Sequence, residues 1–128
     1  MTKSAANLVA AARSRIRELS PTQAQTELGR CVLIDVREPA EFATGHVKGA
    51  ANIPRGVLEF QVDAHPAVAN VVDPALSHKD QPVLVYCRTG GRSALAACAL
   101  QELGFTNVRS IEGGISAWID AGLPLDAH

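Results

Sequence analysis

Short apolar runs alternate with helical patterns along most of the chain. Runs rich in valine, leucine and isoleucine at 32–36, 83–86 and 106–111 have the length and composition of strands buried in a parallel sheet. A shorter run at 51–53 ends at Pro54 and predicts one more strand. Because helical segments separate these runs, the pattern predicts an α/β domain whose central, mostly parallel sheet has about four to five strands, with helices on both faces.

Helix signals occupy the segments between the apolar runs. Residues 5–19 carry apolar side chains at helical spacing. Ser20, Pro21 and Gln23 form a capping-box pattern that begins a second helix, which ends near Gly29. Later helices are predicted at 39–42, at 94–100 with Ser93 as N-cap, and from 115 to about 121.

Residues 55–79 carry the weakest pattern in the chain. Pro66 and Pro74 interrupt it, so we expect turns and roughly one or two short helices there. The positions predicted to be buried in this segment are Leu58, Phe60, Val62, Val68, Val71 and Leu76.

Composition narrows the classes of function. A chain of 128 residues forms one domain, and its net charge of -1 argues against a nucleic-acid partner or an anionic membrane surface. The three cysteines lack Cys-x-x-Cys spacing, which argues against a disulfide framework or a zinc site and favours a reducing compartment, the cytoplasm. The N-terminal apolar stretch is short and runs into arginines, so neither export nor a membrane span is predicted.

Cys87 has the sequence surroundings of a reactive thiol. It directly follows a predicted strand and precedes a helix, whose first unpaired amides and dipole stabilise an anion. Gly90 and Gly91 allow the loop amides to turn toward the sulfur, while Arg88 and Arg92 add two positive charges. Together these features favour the thiolate, which is the nucleophilic form of cysteine.

The remaining cysteines and His46 have no comparable setting. Cys31 begins an apolar strand and Cys98 lies within an Ala/Leu-rich helix, so we expect both in the core. His46 stands in a glycine-bounded turn. A general base is one interpretation of this histidine, and a ring packed against the preceding loop is the one we favour.

A series of short motifs resembles those of the single-domain rhodaneses. They occur in family order over about 20–124, which is far more specific than any one of them alone. The resemblance implies a rhodanese domain at 20–128 and leaves 1–19 as an N-terminal helical extension, with a dimer contact or a lid over the sheet as open roles. The motifs are Asp35-Val36-Arg37-Glu38-Pro39, Glu41-Phe42, Gly45-His46-Val47-Lys48-Gly49-Ala50, Asn52-Ile53-Pro54, Cys87-Arg88-Thr89-Gly90-Gly91-Arg92-Ser93 and Gly113-Gly114-Ile115-Ser116-Ala117-Trp118.

The resemblance also implies a chemistry and a set of site residues. Cys87 is implied to take a sulfane sulfur from thiosulfate or a persulfide and to pass it to cyanide, a small thiol or a protein thiol, with no metal or organic cofactor. Asp35 and Arg37 are expected to brace the cysteine loop through hydrogen bonds and an ion pair that includes Glu41. His46 belongs to the same supporting set. The implied substrate-binding residues are Arg88, Thr89, Gly90, Gly91, Arg92 and Ser93.

Two other classes of function stay open at this point. The rival enzyme class is the cysteine-dependent phosphatases, some of which share this fold, with arsenate reduction as a related reaction. The phosphatase loop places five residues between the cysteine and its phosphate-clamping arginine. Here four residues separate Cys87 from Arg92, and Ser93 follows. The shorter loop suits a small sulfane sulfur better than a tetrahedral phosphate. The third class is a non-catalytic rhodanese-like binding module, against which the retained cysteine and both arginines argue.

Overall fold

The strands form one parallel sheet in a computed structural model that describes residues 2–62 and 79–127. They are β1 (Arg17–Leu19), β2 (Val32–Asp35), β3 (Ala51–Asn52), β4 (Val83–Tyr86) and β5 (Val108–Ile111). Their order is β1-β5-β4-β2-β3, and every pairing is parallel. The predicted α/β fold is confirmed, and the strand that leads to Cys87 lies at the centre of the sheet.

Helices cover both faces of the sheet. They are α1 (Ala5–Arg13), α2 (Pro21–Glu27), α3 (Pro39–Ala43), α4 (Leu58–Val62), α5 (Gly91–Glu102) and α6 (Gly114–Asp120). Helices α1 and α4 pack with α5 on one face, while α2 packs with α6 on the other. Across the described ranges, no helix combines the length and apolar character needed to cross a membrane.

The alternation of side chains along β4 divides the core into two layers. Val83 and Val85 point toward the layer that contains α5, and Leu84 and Tyr86 point toward the layer that contains α6. All four side chains are fully buried, as expected for the central strand of a parallel sheet. Cys87 continues the first set and therefore belongs to the α5 layer.

The first helix is shorter than the predicted 5–19. It ends at Arg13, and residues 17–19 form β1, an edge strand paired with β5. The backbone groups of this short segment gain partners on β5, and helical periodicity in the sequence gave no sign of that tertiary pairing. The N-terminal segment is therefore helical only in its first part.

The burial prediction for Phe60 and the N-cap predicted for the helix after Cys87 were wrong. Phe60 is 43% exposed, because the short helix α4 turns this side chain to solvent. The N-cap of α5 is Gly90 and not Ser93, since the chain enters the helix through a left-handed residue with φ of 106°. Leu58 and Val62 are buried as predicted. The predicted buried positions that lie outside the described residues are Val68, Val71 and Leu76.

Candidate active site

The Cys87 sulfur lies in a cradle formed by the loop that follows β4. The residue is 1% exposed, and the backbone amide of Gly90 donates a hydrogen bond to its Sγ at 3.1 Å. The Ser93 hydroxyl lies 3.5 Å from the same sulfur. The left-handed backbone of Gly90 turns its amide inward, so both groups can stabilise a negative charge on sulfur.

A pair of buried hydroxyls extends the hydrogen-bonding network behind the sulfur. Ser93 Oγ lies 2.8 Å from Ser110 Oγ on β5, and both residues are completely buried. When the thiolate forms, Ser110 can donate to Ser93 while Ser93 donates to Cys87. Sequence reasoning missed Ser110. Its signal was a small hydroxyl side chain next to Ile111 in the predicted strand at 106–111, which pairs with β4 in the sheet.

The first turn of α6 forms backbone hydrogen bonds with the start of the cysteine loop. The amide of Ile115 donates to the Cys87 carbonyl at 2.9 Å, and the amide of Ser116 donates to the Arg88 carbonyl at 3.0 Å. The C=O and N–H groups of a trans peptide point in opposite directions. Tying these carbonyls to α6 therefore turns the following loop amides away from that helix.

Gly114→Ala is expected to disrupt this anchor. Gly114 has φ of +62°, and a Cβ there would lie 2.5 Å from the Cys87 carbonyl oxygen and 2.6 Å from the Arg88 carbonyl carbon. Since both are backbone atoms, the helix and loop must separate, at an expected cost of about 2–4 kcal/mol in the free energy of unfolding. Urea unfolding and the alkylation rate of Cys87 measure the effect.

Gly122→Ala is the matched control for that substitution. Gly122 also has a left-handed backbone, with φ of +76°, but a Cβ there meets no atom within 4 Å. It therefore reports the backbone strain alone, at about 1 kcal/mol. Equal destabilisation by the two variants would show that the contact of Gly114 with the loop is unimportant.

The two arginines of the loop have different surroundings. Arg92 makes a bidentate ion pair with Glu41 of α3, at 2.7 Å and 3.0 Å. These hydrogen bonds from Arg92 are the main reason why the pKa of Glu41 is lowered to about 2. The Arg88 side chain is exposed, and its guanidinium forms no hydrogen bond or ion pair with the part of the chain that the structure describes. The Arg88 charge is therefore available to an incoming anion.

Glu41→Gln is expected to make the free energy of unfolding less sensitive to pH below about pH 4.5. The pKa of Glu41 falls from 4.5 to about 2 on folding, so its stabilisation is complete above about pH 4.5 and is lost as the pH falls toward 2. Solvent screens this partly exposed pair, and we expect it to contribute about 1 kcal/mol at neutral pH. Urea unfolding between pH 6 and pH 3 should show wild type losing roughly half of that amount more than the variant, because Glu41 in the folded protein is still mostly ionised at pH 3.

The charge-matched control for the acid experiment is Glu102→Gln, because Glu102 is an exposed carboxylate at the end of α5. It is expected to follow the wild-type pH profile. If Glu41→Gln loses as much stability on acidification as the wild type does, the pair with Arg92 does not stabilise the fold.

Asp35 and Arg37 form a buried ion pair on the face of the sheet opposite to the one that carries Cys87. Arg37 Nη2 lies 2.7 Å from Asp35 Oδ2 and donates at 2.8 Å to the Gly45 carbonyl. Burial and the neighbouring Asp35 carboxylate raise the pKa of Tyr86, whose hydroxyl oxygen accepts a hydrogen bond from the Val47 amide at 3.0 Å. The hydrogen bonds of this pair thus brace the turn at Gly45, and the contact from this region to the cysteine loop is made by Glu41.

His46 is buried within the turn that follows α3. Its ring stacks on Phe42 with centroids 3.7 Å apart, and its Nδ1 lies 3.1 Å from the Phe42 carbonyl oxygen. Its backbone pairs with Asp126 near the C-terminal end of the described chain. This is the packed arrangement that we favoured over a general base.

A cavity of about 490 Å³ opens beside Arg88. Its walls are polar on the α3 side, where Arg37 and Glu41 lie, and apolar on the α6 side, where Ile115 and Ile119 lie. Its size is in the range of small-molecule sites. The cavity therefore offers space for a small ligand next to the unpaired charge of the loop.

Residues 20–121 match the family described as the Rhodanese-like domain, and this chain belongs to that family. A protein named sulfurtransferase from Allochromatium vinosum is 35% identical over 109 residues, which cover 85% of this chain and 89% of the relative. Thiosulfate sulfurtransferase GlpE from Vibrio cholerae is 33% identical over 111 residues, which cover 86% of this chain and 92% of the relative. Homologues with these names support a sulfurtransferase activity for this chain.

A solved structure extends the likeness to almost the whole chain. It is a Rhodopseudomonas palustris protein of unknown function, described as a possible tyrosine phosphatase, with 33% identity and a TM-score of 0.84. The alignment covers 98% of this chain and 96% of that protein. Together with the family match over residues 20–121, this likeness confirms the predicted rhodanese fold.

Proposed function

We propose that this protein is a sulfurtransferase that carries a sulfane sulfur on Cys87, with thiosulfate or a persulfide as donor. The observation that carries the proposal is the donor set around the sulfur, in which the Gly90 amide lies at 3.1 Å and the Ser93 hydroxyl at 3.5 Å. A sulfur so placed is stabilised as an anion, both as thiolate and as the leaving group of a persulfide.

The proposed reaction is a double displacement at sulfur. With thiosulfate as donor, the Cys87 thiolate attacks the outer sulfur, the S–S bond breaks, and sulfite leaves with the bonding electron pair. The terminal sulfur of the resulting persulfide is anionic. Cyanide or a thiolate, including that of a protein, then attacks this sulfur, and the Cys87 thiolate is released. No oxidant or reductant is needed, since each step exchanges one nucleophile for another.

Two features support sulfur transfer over phosphate chemistry at this loop. Only four residues separate Cys87 from Arg92, and Ser93 occupies the next position. The Arg92 guanidinium is engaged by Glu41 in a bidentate pair, which occupies N–H donors that a phosphate clamp would need for its phosphate. Arg88 is the loop arginine that can draw in an anionic donor.

The proposal extends to where the protein works. All three cysteines are free thiols, which supports a reducing compartment, the cytoplasm. Sulfur donors and acceptors are the partners that the activity requires. The N-terminal segment 1–19 is proposed as an addition to a rhodanese domain at 20–128, because the family match begins at residue 20.

Intact mass measurement tests the proposal directly. The reduced protein is treated with thiosulfate, and we expect a gain of one sulfur atom that peptide mapping places on Cys87. Cyanide should remove that sulfur as thiocyanate and restore the starting mass. Hydrolysis of p-nitrophenyl phosphate without any sulfur uptake would favour the phosphatase class. Neither activity in a folded protein would favour the binding module.

A further inference from the structure

Helix α1 brings residues from outside the matched family region against the cysteine loop. A Cβ on Gly91 would lie 3.6 Å from Val9 Cγ2, and Ala12 is buried against α5. The Cys98 thiol donates to the Ala12 carbonyl at 3.6 Å, which ties the two helices together further along. The family match begins only at residue 20, so this contact is an addition to the domain.

The side chain of Arg13, at the end of α1, reaches the backbone of Gly90. A Cβ on Gly90 would lie 2.9 Å from Arg13 Nη2, and the absence of a side chain there leaves room for the guanidinium. Gly90 is also the residue whose amide donates to the Cys87 sulfur at 3.1 Å. A permanent positive charge therefore lies against the backbone of the residue that holds the sulfur.

Glu18 on β1 forms an ion pair with this guanidinium. Its Oε2 lies 3.7 Å from Arg13 Nε, and this buried oxygen accepts no hydrogen bond within the described residues. The carboxylate offsets part of the arginine charge at the loop. The two residues are therefore expected to act on an anion at Cys87 in opposite directions.

We propose that Arg13 is a positioning residue that supplies a positive charge to the cysteine loop and favours anionic reactants there. Its part in sulfur transfer rests on the proposed function, whereas its effect on an anion approaching Cys87 does not. The Arg13 side chain is 43% exposed, so salt should weaken its influence. The effect is thus a modest, salt-dependent change in rate.

Alkylation of Cys87 by two reagents of the same mechanism and different charge tests the proposal. Iodoacetate is an anion and iodoacetamide is neutral, and peptide mapping assigns the product to Cys87. Arg13→Gln is expected to lower the ratio of the two rate constants by about 3-fold at low salt, with the difference shrinking at high salt. Arg13→Lys should retain most of the ratio, and Glu18→Gln should raise it.

Arg15→Gln removes the same charge two positions along and is the matched control. We expect it to leave the ratio within about 1.5-fold of wild type. The proposal is overturned if Arg13→Gln and Arg15→Gln change the ratio equally, or if Arg13→Gln slows both reagents by the same factor, which would indicate only packing. A changed ratio in a protein that takes sulfur from neither thiosulfate nor a persulfide would support the role of Arg13 and refute the proposed function.

Discussion

Cys87→Ser is expected to reduce thiocyanate formation from thiosulfate and cyanide by at least roughly 1,000-fold. A serine hydroxyl at this position is a far weaker nucleophile for sulfur and cannot hold a persulfide. The Gly90 amide and Ser93 hydroxyl would remain, but they stabilise an anion that no longer forms. The measurement is the initial rate of thiocyanate release, with the intact mass after thiosulfate as a second readout.

The other two cysteines supply controls within the same chain. Cys31 lies at the start of β2 and Cys98 faces α1, each half-buried and away from the loop amides. Burial raises the pKa of the Cys31 thiol, which further disfavours its thiolate. Cys31→Ser and Cys98→Ser should each retain most of the activity. Sulfur uptake that persists in Cys87→Ser and disappears in Cys31→Ser or Cys98→Ser would assign the reaction to that other cysteine and contradict the role of Cys87.

Asp35→Asn is expected to destabilise the protein by about 3–5 kcal/mol, because it leaves a buried arginine without its counter-charge. The Arg37 side chain is 5% exposed and that of Asp35 is 0% exposed, so water cannot replace the lost partner. The carboxylate also accepts the Arg37 backbone amide at 2.9 Å. The free energy of unfolding from urea titration at neutral pH measures the change.

A second variant and a control separate charge from packing in that experiment. Asp35→Asn combined with Arg37→Met removes the uncompensated charge, and it should recover at least about 1 kcal/mol relative to Asp35→Asn alone. Glu59→Gln breaks an ion pair with Arg55 whose side chains are 30% and 40% exposed, and should cost no more than about 0.5 kcal/mol. Equal losses for Asp35→Asn and Glu59→Gln would contradict a stabilising role for the buried pair.

The sequence determined the central features of this protein because they depend on local pattern. The all-buried run of β4 and the glycines that follow it are local features of the sequence, and they place Cys87 at the end of the central strand beside the Gly90 amide. The order of the motifs likewise indicated the family. Strand β1 was not predicted, since three residues carry too little periodicity to reveal an edge strand.

Only the tertiary structure decided which distant residues complete the site. The 2.8 Å contact of Ser110 with Ser93 depends on the register of neighbouring strands, and the pairing of Glu41 with Arg92 depends on how α3 meets α5. The approach of Arg13 to Gly90 depends on how α1 crosses the loop. The physical reason is shared: the backbone conformation of a segment follows from its own residues, whereas side chains far apart in sequence meet only when packing of the whole core brings their elements together.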